Sequence, residues 1–249
     1  MTEITEVKNP RLNQFLAART GVSRRDADVW ITEGSVTYNG NPGKLFDRVS
    51  EDDLVAYKKD GKWVELDPVI EGKTILMFKP IFTVTTRKDP EGRKTIYDRI
   101  PSAFRDLKPA GRLDYMSEGL LVMSSDGDLI QELTHPKFEH EKVYLVGTIN
   151  PIPDNVFTMF TNGFELEGVH LNPVGVRQLR ENNAEFNYLK LQSNLNWYKF
   201  SLTEGRNNQI RKMCWAFDIR VQRLIRIQQG PYKLTKELFF AKFIEAEAV

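Results

Sequence analysis

From Thr74 onward the apolar residues of this chain arrive in short runs, TILMFKP, GLLVMSS, VYLVGTI and WYKFSLTE, separated by Gly, Pro, Ser and Asp. Apolar runs of this length between turn residues suit strands buried in a sheet and are too short for fully buried helices. FTVTT and YLKLQ read as further strands, and IYDRIP as a short helix. SSDGDLIQELTHP combines a turn with a helix carrying Leu129, Ile130 and Leu133 on one face. NNQIRKMCWAFD has helical spacing at Ile210, Met213, Cys214 and Phe217. A sheet flanked by helices, an α+β domain, is the expected result.

The first sixty residues follow another period. Leu12, Phe15 and Leu16 are spaced i, i+3, i+4, and so are Ala27, Trp30 and Ile31, which predicts two short helices. Ser23 with Asp26 three residues later is a capping-box pattern for the second helix, and Gly34 is a natural stop. SVTYN and DDLVAY, with Asn39-Gly40 between them, predict a small sheet. The expected organisation is a compact module over residues 9–59, a polar linker over 60–72 and a larger domain over 73–249.

The chain has 249 residues with 35 Lys+Arg against 34 Asp+Glu, so average charge does not identify a polyanionic partner. The distribution says more. Between Arg206 and Arg226 six basic residues (Arg206, Arg211, Lys212, Arg220, Arg223, Arg226) face one acid, Asp218. Such a block suits either a footprint for phosphates or a solvated helix face. A single cysteine, Cys214, precludes an internal disulfide and a Cys-rich zinc module, and reads as a small buried hydrophobe. The start, MTEITEVKNPRLNQ, has no apolar leader segment, and no apolar run approaches a membrane span. A cytoplasmic protein with no membrane partner is expected.

Familiar catalytic motifs are missing: there is no Walker loop, G-x-G-x-x-G, G-x-S-x-G or H-E-x-x-H. His135 and His140 lie near Pro136 in a loop, and His170 stands apart, so no metal site is expected. Asp114 remains, wedged between an arginine and an apolar run in GRLDYMSEGLLVMSSDGD. From its pattern it is a helix cap, an ion-pair partner of Arg112, or, with Glu118, one of two carboxylates for glycoside chemistry.

GRLDYMSEGLLVMSSDGDL resembles the G-R-L-D-x-x-[TS]-x-G-L-L signature of RsuA-type bacterial rRNA pseudouridine synthases. HEKVYLV, LTEGRNNQIRKM and RLIRIQQG resemble that family's later motifs in order, and the first fifty-odd residues resemble the S4-type RNA-binding domain that commonly precedes it. One departure is the family's Lys-Pro-x-Gly, which here is Lys79-Pro80-Ile81-Phe82. The resemblance implies a mixed, mainly antiparallel sheet in the larger domain and cofactor-free isomerisation of uridine to pseudouridine in rRNA. The tail NWYKFSLTEGRN points towards 23S rRNA, with 16S rRNA, tRNA or a non-catalytic RNA-binding role in ribosome assembly as alternatives.

By the same resemblance Asp114 is the catalytic aspartate, Arg211 its paired cation and Tyr144 the ring that stacks on uracil. Ile210 forms an apolar floor, Arg112, Arg206 and Lys212 contact substrate, and Glu118 becomes a structural residue. Arg11, Arg19, Arg24 and Arg25 are candidate RNA contacts of the first module, in a chain expected to act as a monomer.

Overall fold

The computed structural model describes residues 9–50, 52–66, 73–179 and 184–246. The chain divides into two compact units, Met1–Gly72 and Lys73–Val249. The first unit begins with α1 (Leu12–Thr20) and α2 (Arg24–Thr32), followed by β1 (Val36–Tyr38), β2 (Asn41–Pro42), β3 (Val55–Lys59) and β4 (Lys62–Leu66). The strands form an antiparallel sheet in the order β2-β1-β3-β4. Leu12, Phe15, Leu16, Ala27 and Ile31 pack against Val36, Val49 and Val55 as its core. Ser23 caps α2 as its sequence predicts: its hydroxyl accepts from the Asp26 amide, and the Asp26 carboxylate accepts from the Ser23 amide.

Residues 62–66, expected in a linker, form β4 instead. KWVEL is almost wholly exposed, because it is an edge strand paired only to β3. An edge strand wet on both faces carries no hydrophobic alternation to read. Residues 67–72 of the expected linker lie outside the described residues.

The second unit contains β5 (Thr74–Lys79), β6 (Lys108–Pro109), β7 (Glu118–Ser124), α3 (Gly127–Thr134), β8 (Lys142–Thr148), α4 (Asp154–Asn162), β9 (Phe164–Leu166) and β10 (Val169–Leu171). It continues with β11 (Gly175–Gln178), β12 (Asn196–Leu202), α5 (Gln209–Trp215), β13 (Val221–Gln229), β14 (Tyr232–Lys233), α6 (Lys236–Ala241) and β15 (Phe243–Glu245). Apart from the β9-β10 hairpin, these strands form one sheet in the order β11-β12-β8-β13-β7-β5-β15, with β14 on β13 and β6 on β7. The β13-β7 pair is parallel and the others are antiparallel, so the sheet is mixed and mainly antiparallel.

Alternate residues feed opposite faces, because successive side chains of a strand point to opposite sides. Leu120, Val122, Val143, Leu145 and Ile225 join one core cluster. On the other face, Leu121 and Met123 join Ile75, Met77 and Ile96, while Val146, Phe200 and Leu224 join Ile210, Met213 and Cys214. The fully buried β7 is why GLLVM reads as an unbroken apolar run.

Two expected strands do not form. In FTVTT, Phe82 turns into the left-handed region at φ 58°, and only Val84 bridges, to Thr95. In YLKLQ, the chain is in a 3-10 turn that ends at Leu189. Leu189 and Tyr188 there turn onto a core cluster, which produces apolar spacing without strand pairing.

Candidate active site

Asp114 opens a tight turn, Asp114 to Ser117, immediately before β7, and the Ser117 amide donates to the Asp114 carbonyl at 3.0 Å. Thr85 fixes the preceding residue: its hydroxyl donates to the Leu113 carbonyl at 2.8 Å and accepts from the Leu113 amide at 3.3 Å. Lys79, at the end of β5, is fully buried. Its Nζ donates to the carbonyls of Pro80 (3.1 Å), Asp114 (3.0 Å) and Ser117 (2.7 Å). An ammonium has three donors and no acceptor, so these bonds saturate it.

Arg211 of α5 completes the hold. Its Nη2 donates to the Met116 carbonyl and its Nη1 to the Val221 carbonyl, each at 2.9 Å. Two cations thus bind three carbonyls of one four-residue turn, fixing the backbone that carries the Asp114 carboxylate. The direct Arg211-Asp114 ion pair implied by the resemblance is not formed: the terminal nitrogens of Arg211 bond to the Val221 and Met116 carbonyls instead. The two charges still interact: burial lowers the Arg211 pKa from its ordinary value, and Asp114 opposes that shift. Burial pulls Lys79 down to about 8, with Asp114 opposing, Arg226 adding to the fall and Glu118 opposing it.

The site is built on one row of the sheet. Lys79 lies opposite Gly119, Gly119 opposite Arg226, Arg226 opposite Tyr144, and Tyr144 opposite Phe200. Cross-strand partners share a face, so Lys79, Arg226, Tyr144 and Phe200 are lateral neighbours. Gly119 lets β7 and β13 approach there: its φ is 112°, and a Cβ would overlap the backbone nitrogen and carbonyl oxygen of Arg226. Tyr144 packs on the cluster that holds Ile210, so those two expected site residues share one apolar wall.

Arg226 is buried and donates through Nε to the Leu120 carbonyl at 2.8 Å. Its Nη2, the Nε of Arg211 and the Ser117 hydroxyl are buried without a protein hydrogen-bond partner. Buried polar atoms without partners are uncommon in folded proteins, and two of these belong to the turn itself, Ser117, and to the side chain that clamps it, Arg211. Lys142, on the same face as Tyr144, is half-buried, and burial and then Arg226 lower its pKa. Lys79, Lys142, Arg211 and Arg226 therefore surround this face with positive charge.

Other expected residues fall elsewhere. Arg112 is exposed and makes no ion pair with Asp114. The exposed Arg206 pairs with the largely buried Glu204 at 3.3 Å, and Lys212 with Glu167 at 2.7 Å on the surface. Glu118 accepts from Arg223 Nε at 2.6 Å and shares the face of Leu120 and Val122, opposite to Tyr144. The basic block is accordingly not one surface: Arg206, Lys212 and Arg220 are exposed, Arg223 is in a structural ion pair, and Arg211 and Arg226 belong to the site. In the first unit Arg11, Arg24 and Arg25 are exposed, while Arg19 is partly buried with its guanidinium 6.0 Å from the Phe15 ring centroid.

Thr85 carries no signal in the sequence, Gly119 only its place in the G-L-L of the signature, Lys79 stands out there only as the start of the departing Lys-Pro motif, and Arg226 only as one member of the basic block. The available signal was Lys79-Pro80 at the end of an apolar strand, a place where a lysine has no solvent beside it.

Residues 73–216 match the family described as RNA pseudouridylate synthase. The chain belongs to that family. It is 34% identical over 239 residues to ribosomal large subunit pseudouridine synthase B of Pseudomonas aeruginosa, covering 94% of this chain and 59% of the relative. The proteins of that name from Yersinia pestis and Escherichia coli K12 are 33% and 32% identical, with 92% of this chain and 70% and 76% of theirs covered. The chain thus spans between about three-fifths and three-quarters of these relatives. A crystal structure of a pseudouridylate synthase superposes with a TM-score of 0.62 at 26% identity, covering 96% of both chains. The family's fold matches the mixed sheet and flanking helices described above.

Proposed function

We propose that this protein isomerises uridine to pseudouridine in large-subunit (23S) ribosomal RNA, with Asp114 as the catalytic carboxylate. The observation that carries the reading is the Asp114 turn, locked by Lys79 and Arg211 on the same sheet face as Tyr144. In the reaction the N1–C1′ bond breaks and a C5–C1′ bond forms; the C5 proton leaves and N1 gains one. No electrons are gained or lost, so the chain's own acid and base groups suffice.

Asp114 acts at the sugar as a nucleophile or as the base that starts glycosidic cleavage. Its fixed backbone reduces the orientational freedom to be lost on reaching the reacting atom. Tyr144 stacks on the uracil against the wall that includes Ile210. The target base must leave its helical stack, at a cost of a few kcal/mol. The cations Lys79, Lys142, Arg211 and Arg226 favour anionic groups of the bound nucleotide.

The N-terminal unit, read as an S4-type module, holds structured RNA through Arg11, Arg24 and Arg25, which suit contacts to phosphate and ribose. The large-subunit assignment rests on the names of the relatives. A cytoplasmic, monomeric enzyme fits this reading, and among the described residues no helix is long and apolar enough to cross a membrane. Mapping pseudouridines in rRNA from cells lacking the protein tests the function. The reading expects one or more 23S positions to revert to uridine and to be restored by the wild-type gene but not by Asp114→Asn. An unchanged map would overturn it.

A further inference from the structure

We propose that Phe82 is a base-stacking residue, holding a nucleobase that flanks the target uridine against an aromatic lip beside Asp114. This inference deepens the preceding reading by assigning a substrate contact beyond the flipped base.

Phe82 has φ 58°, although a bulky side chain in the left-handed region is a backbone outlier. Such a conformation crowds any residue that carries a Cβ, and glycine would adopt it without penalty. Folding gives little in return, since Phe82 is 51% exposed. The conformation is nevertheless fixed: the Phe82 amide donates to the Tyr115 carbonyl at 2.8 Å, and the two rings meet edge to face, centroids 5.6 Å apart at 62°. Tyr115 directly follows Asp114 and is steadied by the Arg93 guanidinium, 5.5 Å from its ring centroid.

Ile81, Phe82, Tyr115 and Met116 are all exposed, so four large apolar side chains rim the turn that carries the carboxylate. The site behind them is cationic, which selects a polyanion over an apolar peptide as the occupant. A strand that delivers one base to Asp114 must bring that base's neighbours past this rim, and an unstacked base finds on an exposed aromatic ring the contact it has lost. A strained, wet phenylalanine therefore has a use in binding that it lacks in folding.

The test uses the full chain with Phe82→Gly, Phe82→Leu and Phe82→Trp, measuring affinity for an unmodified 23S rRNA transcript at fixed salt, pseudouridine formation on it, and thermal midpoint. Phe82→Gly removes strain and ring together, Phe82→Leu removes the ring but keeps apolar bulk, and Phe82→Trp keeps a ring. The expected result is binding weakened roughly tenfold in the Gly and Leu variants and near wild type in Trp, with the thermal midpoint of Phe82→Gly at or above wild type. Binding by Phe82→Leu equal to wild type overturns the inference, as does a lowered midpoint in Phe82→Gly that accounts for its weaker binding. If affinity follows the ring while no protein, wild type included, forms pseudouridine, the stacking role stands and the catalytic reading fails.

Discussion

Each unit of this protein gathers a loop around one ion, and the two ions are opposites. In the first unit the Asp53 carboxylate accepts from the Ser50 amide (2.7 Å) and hydroxyl (2.8 Å), the Tyr38 hydroxyl (2.8 Å) and the Asn39 amide group (2.7 Å). In the second, the Lys79 ammonium donates to three carbonyls. Desolvation alone would raise the Asp53 pKa, yet the hydrogen bonds from Ser50, Asn39 and Tyr38 outweigh it and hold the group at about 2. For Lys79 the balance reverses: burial prevails over the attraction of Asp114, and the pKa falls to about 8. The fold stabilises one charge and bears a cost for the other. The costly charge sits beneath the candidate catalytic turn, where perturbed ionisation is most often found.

The largest break in this comparison is Lys79→Met. Removing the ammonium frees the Asp114 and Ser117 carbonyls, and a displacement of about 1 Å at a reacting group costs roughly 100-fold in rate. Single-turnover pseudouridine formation should fall by that order while circular dichroism retains the native sheet signal. A rate within about twofold of wild type would remove Lys79 from the positioning machinery.

Titration separates the ions next. Above pH 8 neutral Lys79 has two N–H groups for three carbonyls, so activity should decline through about pH 8. Stability responds in the other direction. Between about 8 and the ordinary lysine value of 10.5 the unfolded chain holds a proton that the folded chain lacks, so this group's contribution to stability rises with pH. Asp53 has a lowered folded pKa, so its contribution is complete above the unfolded value of 3.8 and is lost as pH falls towards 2. A pH-rate profile compared with midpoints from acid and alkaline melts checks all three directions.

Smaller still is Asp53→Ala, which leaves the Ser50, Asn39 and Tyr38 donors without their acceptor and should destabilise the first unit by about 1–3 kcal/mol, measured by urea unfolding. The second unit's chemistry on the bound target should be unaffected once the protein is fully folded. The smallest effect belongs to Glu118→Gln. Arg223 keeps the carbonyls of Leu189 and Lys190 as acceptors, so stability should fall by about 1 kcal/mol with turnover unchanged. A large loss of turnover would return Glu118 to the list of catalytic acids.

What the sequence disclosed depends on how far apart the partners lie. The Ser23-Asp26 cap spans three positions, so local pattern finds it, whereas the Asp53 node, whose partners lie up to fifteen positions away, left no pattern to read. Lys79 reaches carbonyls 35 and 38 residues away, and Arg211 one 95 residues away. No local period records those meetings. Motif order placed Asp114, Tyr144 and Arg211 in one neighbourhood, but motif order carries no distances, which is why the expected Arg211 ion pair proved to be a carbonyl clamp. The buried core of the sheet was legible as GLLVM and VYLV. KWVEL was not, because an edge strand without a buried face looks like any polar segment.

The most direct test is product formation on an unmodified 23S rRNA transcript by the wild-type protein and by Asp114→Asn, each shown to unfold at the same midpoint. The account predicts pseudouridine at defined positions with wild type and none with Asp114→Asn, which should still bind the transcript. Product from Asp114→Asn at the wild-type rate, or none from the wild-type protein, would contradict it.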